Sequence, residues 1–352
     1  MIFKDSPRAF LIRFDTHFRM FRQFVFNADY AMQIKIIHEK RTRLLLLAIP
    51  LILASSGCSI KKIAINKIGD ALAGSGTTFA SDNDPQLVKD AIPFSLKLIE
   101  SLLAESPRHR GLLFAASSGF TQYAYAFIKE ESDEMEPENL ALATEMRARA
   151  RGLFLRARDY GVRGLEAKYR GFGALLNKDP QLAVKATKAE DVALLYWTAA
   201  SWGMAITLSK NEPALIVDLP AVEALIDRAL ELNEAFDNGA IHSFLITYET
   251  VRQGATGDPP ERARKHFDRA MTLSNGCQAG PLVSLAESVS IAKQDRKEFQ
   301  SLLDRALAVD VNTKPEYRLA NLVMQRRARW LLARIDELFL APEQQQSAVV
   351  SQ

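Results

Sequence analysis

The thiol of Cys58 has the clearest chemical setting in this sequence. A basic stretch, residues 35–43, precedes an apolar run from Leu44 to Ala54, and Ser55-Ser56-Gly57 leads to the cysteine. This order is typical of a secretory signal, and the run is too short to span a membrane comfortably. A cysteine after Ser-Gly resembles the bacterial lipobox, in which the thiol receives a diacylglyceryl group; Ser55 departs from it, since Leu is usual there. The sequence predicts lipidation of Cys58, with a plain signal peptide or an uncleaved anchor as alternatives.

The segments on either side of this cysteine are assigned from the same layout. Residues 1–31 are rich in Phe and Arg and precede a signal that is already complete. We interpret them as a mis-annotated extension, with translation starting at Met32; a targeting helix is the alternative. Residues 32–57 are then the signal peptide, and the Gly- and Ser-containing residues 58–83 are predicted to be a flexible tether.

The charge of the chain is unevenly divided at Cys58. Residues 1–57 hold nine of the 45 Lys and Arg and four of the 42 Asp and Glu, which leaves 36 basic and 38 acidic residues from Cys58 onwards. A nucleic-acid-binding protein needs a surplus of positive charge to neutralise phosphates. The sequence therefore predicts that nucleic acid is not a partner.

Motifs for catalysis or metal binding are missing from the sequence. There is no H-E-x-x-H, G-x-S-x-G, P-loop or C-x-x-C. His109, His242 and His266 fall on different predicted helices, which disfavours a metal site. Cys277, the other cysteine, is interpreted as a small buried residue. We predict no enzyme, no metal and no cofactor apart from the covalent lipid on Cys58.

Several polar and aromatic residues are candidates for binding. His242 and Glu249 share one face of a predicted helix and could both point into a groove, although a core histidine bonded to a backbone carbonyl and a solvated or paired glutamate are the favoured interpretation. Three aromatic residues are candidates for the wall of a pore, but simple packing between helices is the favoured interpretation. They are Tyr196, Trp197 and Trp202.

Three arginines near the C-terminus form a further candidate: Arg326, Arg327 and Arg329. Guanidinium groups bind carboxylates in a bidentate manner, so this group is a candidate partner-docking patch. The alternative is a basic helix end that complements the helix dipole.

The elements that carry these residues are predicted to be helices throughout. Asp84 and Pro85 have the signature of an N-cap and first helical residue, and apolar residues then recur every three to four positions. Turn signals divide residues 84–341 into about ten or eleven helices, and residues 342–352 are predicted to be a disordered tail. The turn signals lie at Ser106-Pro107, 132–137, 170–173, 177–180, 211–213, 237–239, 254–260, 275–281 and 312–315.

One motif recurs along the chain, with a small alanine after an Asp-Arg pair. The copies are residues 225–230, 265–271 and 302–307, with a fainter one at 154–158. Their spacing resembles one or two units of a tetratricopeptide-like helix-pair repeat, in which the alanine lies where two helices touch. The fold class predicted is an all-α, cryptic TPR-like array of helix pairs.

From about Pro85 to Phe339 the chain resembles the T-component lipoproteins of tetratricopeptide-repeat-associated TRAP transporters. The resemblance rests on the order of several phrases. They are residues 97–103 (KLIESLL), 123–127 (YAYAF), 156–161 (RARDYG), 195–202 (LYWTAASW), 239–244 (GAIHSF), 279–287 (AGPLVSLAE) and 325–330 (QRRARW).

This resemblance implies a lipid-anchored, periplasm-facing homotrimer whose protomers dock a periplasmic TRAP substrate-binding protein. It also implies an apolar pore that could pass a small hydrophobic or organic ligand, for which the candidate lining residues are Tyr123, Tyr196, Trp197, Trp202, His242, Tyr248 and Glu249. A lipid-anchored scaffold for envelope proteins without a ligand path is the alternative function. Because Ser59 is not Asp, the outer membrane is expected rather than the inner one.

Overall fold

The computed structural model describes residues 35, 38–39, 41, 66–71, 76–209 and 217–340. The chain divides into a unit of residues Met1–Ala64 and a unit of Ile65–Gln352. The four described residues of the first unit are helical, and the helices whose bounds are described belong to the second. Cys58, residues 1–31, nearly all of the predicted signal peptide, the turn at 211–213 and residues 342–352 lie outside the described residues, so the predictions made for them stay predictions.

The described part of the chain is built from α-helices and has no strand, and the structure is 77% helical. This confirms the predicted all-α fold. Fifteen α-helical segments are found there, which is more than the ten or eleven predicted because several are only four to six residues long. They are α1 Gly76–Ala80, α2 Pro85–Glu105, α3 Arg110–Ala124, α4 Glu130–Met135, α5 Leu140–Glu166, α6 Phe172–Lys178, α7 Pro180–Lys185, α8 Val192–Thr207, α9 Leu219–Leu232, α10 Ala240–Tyr248, α11 Pro259–Leu273, α12 Gly280–Leu285, α13 Arg296–Leu307, α14 Arg318–Ala333 and α15 Ile335–Leu338.

Two π-helical segments interrupt this α-helical array, at Tyr125–Lys129 between α3 and α4 and at Ala286–Ser290 after α12. Three short 3₁₀ turns lie at Ala189–Asp191, Phe236–Asn238 and Pro315–Tyr317. None of the described helices is both long and apolar enough to cross a membrane.

Aspartate caps explain where several helices begin. The Asp84 carboxylate accepts hydrogen bonds from the backbone N–H groups of Gln86 and Leu87, and Pro85 occupies the first helical position. This confirms the predicted start of α2. Asp179, Asp258 and Asp295 cap α7, α11 and α13 in the same way, because a side-chain oxygen satisfies an N–H group that has no partner inside the helix.

Apolar residues form three buried clusters along the chain. The first is built around α2, α3 and α5, the second around α8 and α9, and the third around α11 to α14. The alanines of the recurring motif are buried as predicted: Ala157, Ala229, Ala270 and Ala306 are each at most 1% exposed. Small side chains at these points let neighbouring helices approach closely.

Gly161 marks the closest approach between α5 and α8. A Cβ atom added there would lie 2.1 Å from the Thr198 Oγ1 atom, well inside van der Waals contact. By contrast, a Cβ at Gly152 on the same helix would meet no atom within 4 Å. The two glycines thus differ in the space around them, although both lie in the interior of one helix.

The segment predicted to be a flexible tether, residues 58–83, differs in part from that prediction. Residues 66–71 are helical, and α1 follows them. The Ser106 hydroxyl donates to the Asn66 Oδ1 atom at 2.9 Å, and a Cβ on Gly69 would lie 3.0 Å from the Leu112 side chain. Because glycine has no Cβ, the helical turn packs directly on α3, so this part of the segment is docked.

Candidate functional site

The last long helix, α14, returns to the first helices of the array. Arg318 donates to the backbone oxygen of Ser81 at 2.7 Å, and Leu319 packs against the apolar cluster of α2, α3 and α5. Two turns further on, Arg326 donates to Glu134 on α4 at 2.5 Å. The array of helices is therefore closed by contacts between its two ends.

A buried group of charged residues lies at this closure. We call Lys129, Glu130, Asp133, Glu287 and Arg327 the closing cluster. The Arg327 guanidinium lies 2.6 Å from the Glu287 carboxylate, 3.1 Å from Glu130 and 3.1 Å from Asp133. The Lys129 ammonium lies 3.0 Å from both Glu130 and Asp133. Within the cluster three carboxylates face two cations, Asp133 also pairs with Arg147 of α5 at 3.2 Å, and Arg327 connects three separate segments of the chain.

Two members of the closing cluster have little contact with water, and the others are half-buried, with 28% of the Glu287 side chain exposed. Arg327 is 6% exposed and Glu130 is 4% exposed. Burial lowers the pKa of Arg327, but Glu287 and Glu130 outweigh it and raise the pKa above its ordinary value. Burial, together with Glu130, raises the pKa of Glu287 above its ordinary value, although Arg327 and Lys129 lower it.

Both π-helical segments contribute to the closing cluster. Lys129 is the last residue of the first π segment, and Glu287 is the second residue of the other. Tyr125 begins the first segment, and burial, together with Glu130 and Glu287, raises the pKa of its hydroxyl well above the ordinary value. Such bulges in α-helices occur frequently at functional sites.

A second constellation surrounds the turn between α9 and α10. The Tyr196 ring centroid lies 5.4 Å from that of Phe236, and the Tyr317 hydroxyl donates to Asp237 at 3.2 Å. Tyr196 is half-buried, yet burial, with a contribution from Asp237, raises the pKa of its hydroxyl. Because Tyr196 also packs against the second apolar cluster, this desolvation is explained by contacts within its own chain.

The backbone of this turn is strained. Asp237, Asn238 and Gly239 have φ values of 44°, 49° and 98°, a left-handed region that costs energy for residues other than glycine. Tyr317 holds the turn, since its hydroxyl donates to Asp237 and accepts from the Asn238 amide. The segment before α14 is thereby tied to the middle of the chain.

Three of the predicted pore residues are buried in the apolar clusters. Tyr123 is 6% exposed and packs on Phe127 with ring centroids 6.0 Å apart. Trp202 is 4% exposed and donates to Asp218 at 3.3 Å. Tyr248 is 7% exposed and donates to a Glu223 oxygen at 2.9 Å, so its hydroxyl is already bonded within the chain.

The other predicted pore residues lie in different settings. Trp197 is half-buried and meets Tyr196 edge to face, with centroids 5.0 Å apart. His242 is 6% exposed, and its Nδ1 atom lies 2.8 Å from Nδ1 of His266, so one ring donates and the other accepts. Glu249 is 4% exposed and bonded by two arginines, Arg252 at 2.9 Å and Arg262 at 2.6 Å.

These contacts separate the candidates into two groups. Glu249 is a paired glutamate, one of the two settings favoured from the sequence, whereas His242 bonds the ring of His266 in place of the expected backbone carbonyl. Tyr196 and Trp197 keep contact with solvent. Among the described residues, no group of three or more His, Cys, Asp or Glu is placed to hold a metal ion, although His242 and His266 meet. The role of the seven residues as a ligand path stays a prediction.

The three candidate docking arginines do not lie on one surface. Arg327 points inward into the closing cluster, and its guanidinium stacks on the Trp330 ring at 4.5 Å from the centroid. Arg326 and Arg329 are exposed. If a partner binds these arginines, the exposed pair is available to it, whereas Arg327 is occupied by carboxylates of its own chain.

The carboxylates of the closing cluster were not identified from the sequence. Glu130 and Asp133 belong to an acidic run, residues 130–136, which overlaps the helix break predicted at 132–137. That run is the one local signal of such a site, because several carboxylates on consecutive turns require nearby cations. Nothing near Glu287 in the sequence marks it as their neighbour.

Comparison with known proteins gives two matches. The family model described as "TRAP transporter T-component" matches residues 81–339, which include both ends of the closed array. An uncharacterised protein of Treponema pallidum (strain Nichols) is 28% identical over 306 residues, covering 82% of this chain and 95% of its own length. Since the family model covers well over half of the sequence, the chain belongs to the TRAP transporter T-component family.

Proposed function

We propose that this protein is a lipid-anchored accessory component of a TRAP-type transport system, facing the periplasm and docking the system's substrate-binding protein. The observation that carries the proposal is the family match over residues 81–339, which spans nearly all of the described helices. Acylated Cys58 would hold the domain at the outer membrane as the only covalent group. In this role the protein docks and transfers, and it carries out no catalysis.

The proposal includes the passage of a small hydrophobic or organic ligand through the protomer and assembly into a homotrimer. The half-buried rings of Tyr196 and Trp197, which meet edge to face, support an aromatic surface that such a ligand could contact. The contacts of Trp202, Tyr248 and Glu249 with their own chain favour the alternative function, a docking scaffold without a ligand path.

Docking is tested by extracting the full chain in mild detergent and identifying a copurifying TRAP substrate-binding protein. Arg329→Glu reverses an exposed charge of the candidate docking surface and is expected to weaken recovery of that partner severalfold. Lys265→Glu on α11 is the matched control, since Lys265 is also exposed. Recovery that is equal in both variants would remove Arg329 from the docking surface, and no recovery from the unchanged chain would refute docking.

Ligand passage and lipid anchoring need separate measurements. Mass spectrometry of the purified protein should find an organic molecule whose amount falls in Tyr196→Ala but not in Tyr123→Phe, because Tyr123 is buried in the first cluster. A protein that never carries such a molecule supports the scaffold instead. The intact mass should show acyl chains on a polypeptide starting at Cys58, and Cys58→Ala should lack them; any other start or an unmodified thiol contradicts the anchor.

A further inference from the structure

The outer face of α2 is apolar although it is solvent-exposed. Leu87 is 59%, Phe94 74% and Leu98 38% exposed, and Ala91 between them is half-buried. These four residues, which we call the α2 stripe, follow one another at intervals of four, three and four. That spacing places them on a single line along the helix and is typical of a helix that packs against another helix.

The position of the stripe in the array makes its exposure unusual. α2 is the first long helix of the described array, and the outer face of a terminal helix in a repeat protein is ordinarily polar, because no further repeat covers it. A single exposed leucine needs no explanation, but a continuous line of large apolar side chains indicates a binding surface.

Two opposite charges flank the stripe on the same side. Asp90 precedes Ala91 and Lys97 precedes Leu98, so both occupy the same position relative to the stripe, two turns apart. Asp90 is exposed and 69% of the Lys97 side chain is exposed. Their contacts are local to α2: Asp90 accepts from Gln86 at 3.1 Å, and Lys97 pairs with Glu100 at 2.5 Å. Such exposed contacts are weak and exchange readily.

The stripe and its flanking charges are complementary to themselves. If two α2 helices lie antiparallel with Ala91 opposite Phe94 of the second copy, Leu87 faces Leu98 of that copy. The same register brings Asp90 opposite Lys97 of the second copy, and the two-fold axis repeats every contact. One register therefore pairs all four apolar residues and both charges. Either neighbouring register, shifted by one turn, would lose the charge pairs.

We propose that α2 is a self-association surface, at which two copies of this chain pair antiparallel through Leu87, Ala91, Phe94 and Leu98. The next layer outwards places Ser101 opposite Asp84, so the apolar contact ends after four layers. An interface of this size is small, and the contact is weak and reversible by dilution. It goes beyond the proposed homotrimer, because a two-fold axis joins copies in pairs.

Disulfide cross-linking tests both the contact and its direction. The test uses the full chain in cell membranes with Cys277→Ser, and the same chain without added cysteines shows whether Cys58 contributes any cross-link of its own. The double variant Leu87→Cys/Leu98→Cys should give a covalent dimer under mild oxidation. Each single variant should not, because equal positions lie about 16 Å apart along an antiparallel pair, too far for a disulfide. A bridge within one helix is excluded by the same distance.

Charge reversal gives an independent readout in the cross-linking background. Asp90→Lys or Lys97→Asp alone should lower the dimer yield severalfold, because equal charges then face each other twice. Coexpression of the two variants should restore the yield, since each charge again meets its opposite. Glu105→Lys, an exposed change on the same helix beyond the stripe, is the control and should have no effect.

The other results each overturn the proposal. A dimer formed by the single variants would show parallel helices. Cysteines that react freely with a water-soluble maleimide and never cross-link would show an open surface. Cysteines protected from maleimide without a dimer would show that another occupant, a segment of the same chain or the lipid surface, covers α2.

Discussion

Replacement of Arg327 by methionine should destabilise the fold strongly. Methionine keeps much of the length of the side chain but removes the charge that faces Glu130, Asp133 and Glu287 at 2.6 to 3.1 Å. Removing one partner of a buried ion pair typically costs about 3–5 kcal/mol. Lys129 still pairs with Glu130 and Asp133, so the loss falls mainly on Glu287, whose ion pair is with Arg327. For a domain of this size the loss corresponds to a fall in Tm of about 10 °C.

Arg326→Met is the matched control on the adjacent residue. The Arg326 side chain is 55% exposed and pairs with Glu134 on the surface. Exposed pairs contribute about 0–1 kcal/mol, so the control should unfold almost like the unchanged chain. Urea unfolding followed by circular dichroism measures both variants. Equal effects of the two substitutions would refute the assignment of the closing cluster as a buried unit.

The pH dependence of Arg327→Met provides a second check. Arg327 lowers the pKa of both Asp133 and Glu287, so its removal raises both values. In the variant, the folded state therefore takes up protons at a higher pH than the unfolded state does. The difference in free energy of unfolding between the unchanged chain and the variant should shrink as the pH falls from 7 towards about 5. Adding Glu287→Gln should recover part of the loss at pH 7. If neither the lower pH nor Glu287→Gln reduces this difference in free energy of unfolding, the electrostatic explanation is contradicted.

Three further predictions concern other parts of the fold. Burial opposes ionisation of Asp191, but hydrogen bonds led by that from Tyr169 lower its pKa from 3.8 to about 2; Asp191→Asn should therefore cost roughly 2 kcal/mol at pH 7, with the difference in urea unfolding disappearing as the pH falls from about 4 to 2. Gly161→Ala should lower the free energy of unfolding by about 1–3 kcal/mol through steric overlap, whereas Gly152→Ala should be neutral or stabilising; similar denaturation midpoints would contradict the close approach. Burial lowers the pKa of both His242 and His266, so stability should decline as the pH falls through 6.5, and His266→Gln should make that decline shallower in the same assay.

Local features of the fold were predictable from the sequence. The start of α2 follows from Asp84 and Pro85, because the side-chain cap and the fixed φ of proline act within one turn. The buried alanines follow from the repeated motif, since small residues at helical spacing mark close contacts. Both inferences use residues that are near each other in the chain.

Contacts between distant residues were not predictable in this way. The three arginines near the C-terminus are close together in sequence, which predicts a single docking patch. Successive residues on an α-helix turn by about 100°, however, so Arg327 points inward while Arg326 and Arg329 are exposed. The partners of Arg327 come from two other segments, and only the closed fold shows which face of α14 is covered. Gly69 likewise lies in a segment whose composition is typical of a flexible tether, and its neighbours in sequence do not indicate the contact with Leu112.

The two π-helical segments have a consequence for how the chain tolerates changes in length. A π bulge is one residue more than an α-helix needs for the same rise, so deletion of one residue from Tyr125–Lys129 would restore regular α-helical geometry. The wider π turn absorbs the extra residue, so the residues after the bulge keep nearly the same phase with or without it. A residue gained or lost in the regular part of α3 would instead rotate the residues after it by about 100° and turn Glu130 and Asp133 away from Arg327. The chain should therefore tolerate the loss of a residue within Tyr125–Lys129 better than a change of length elsewhere in the same helix.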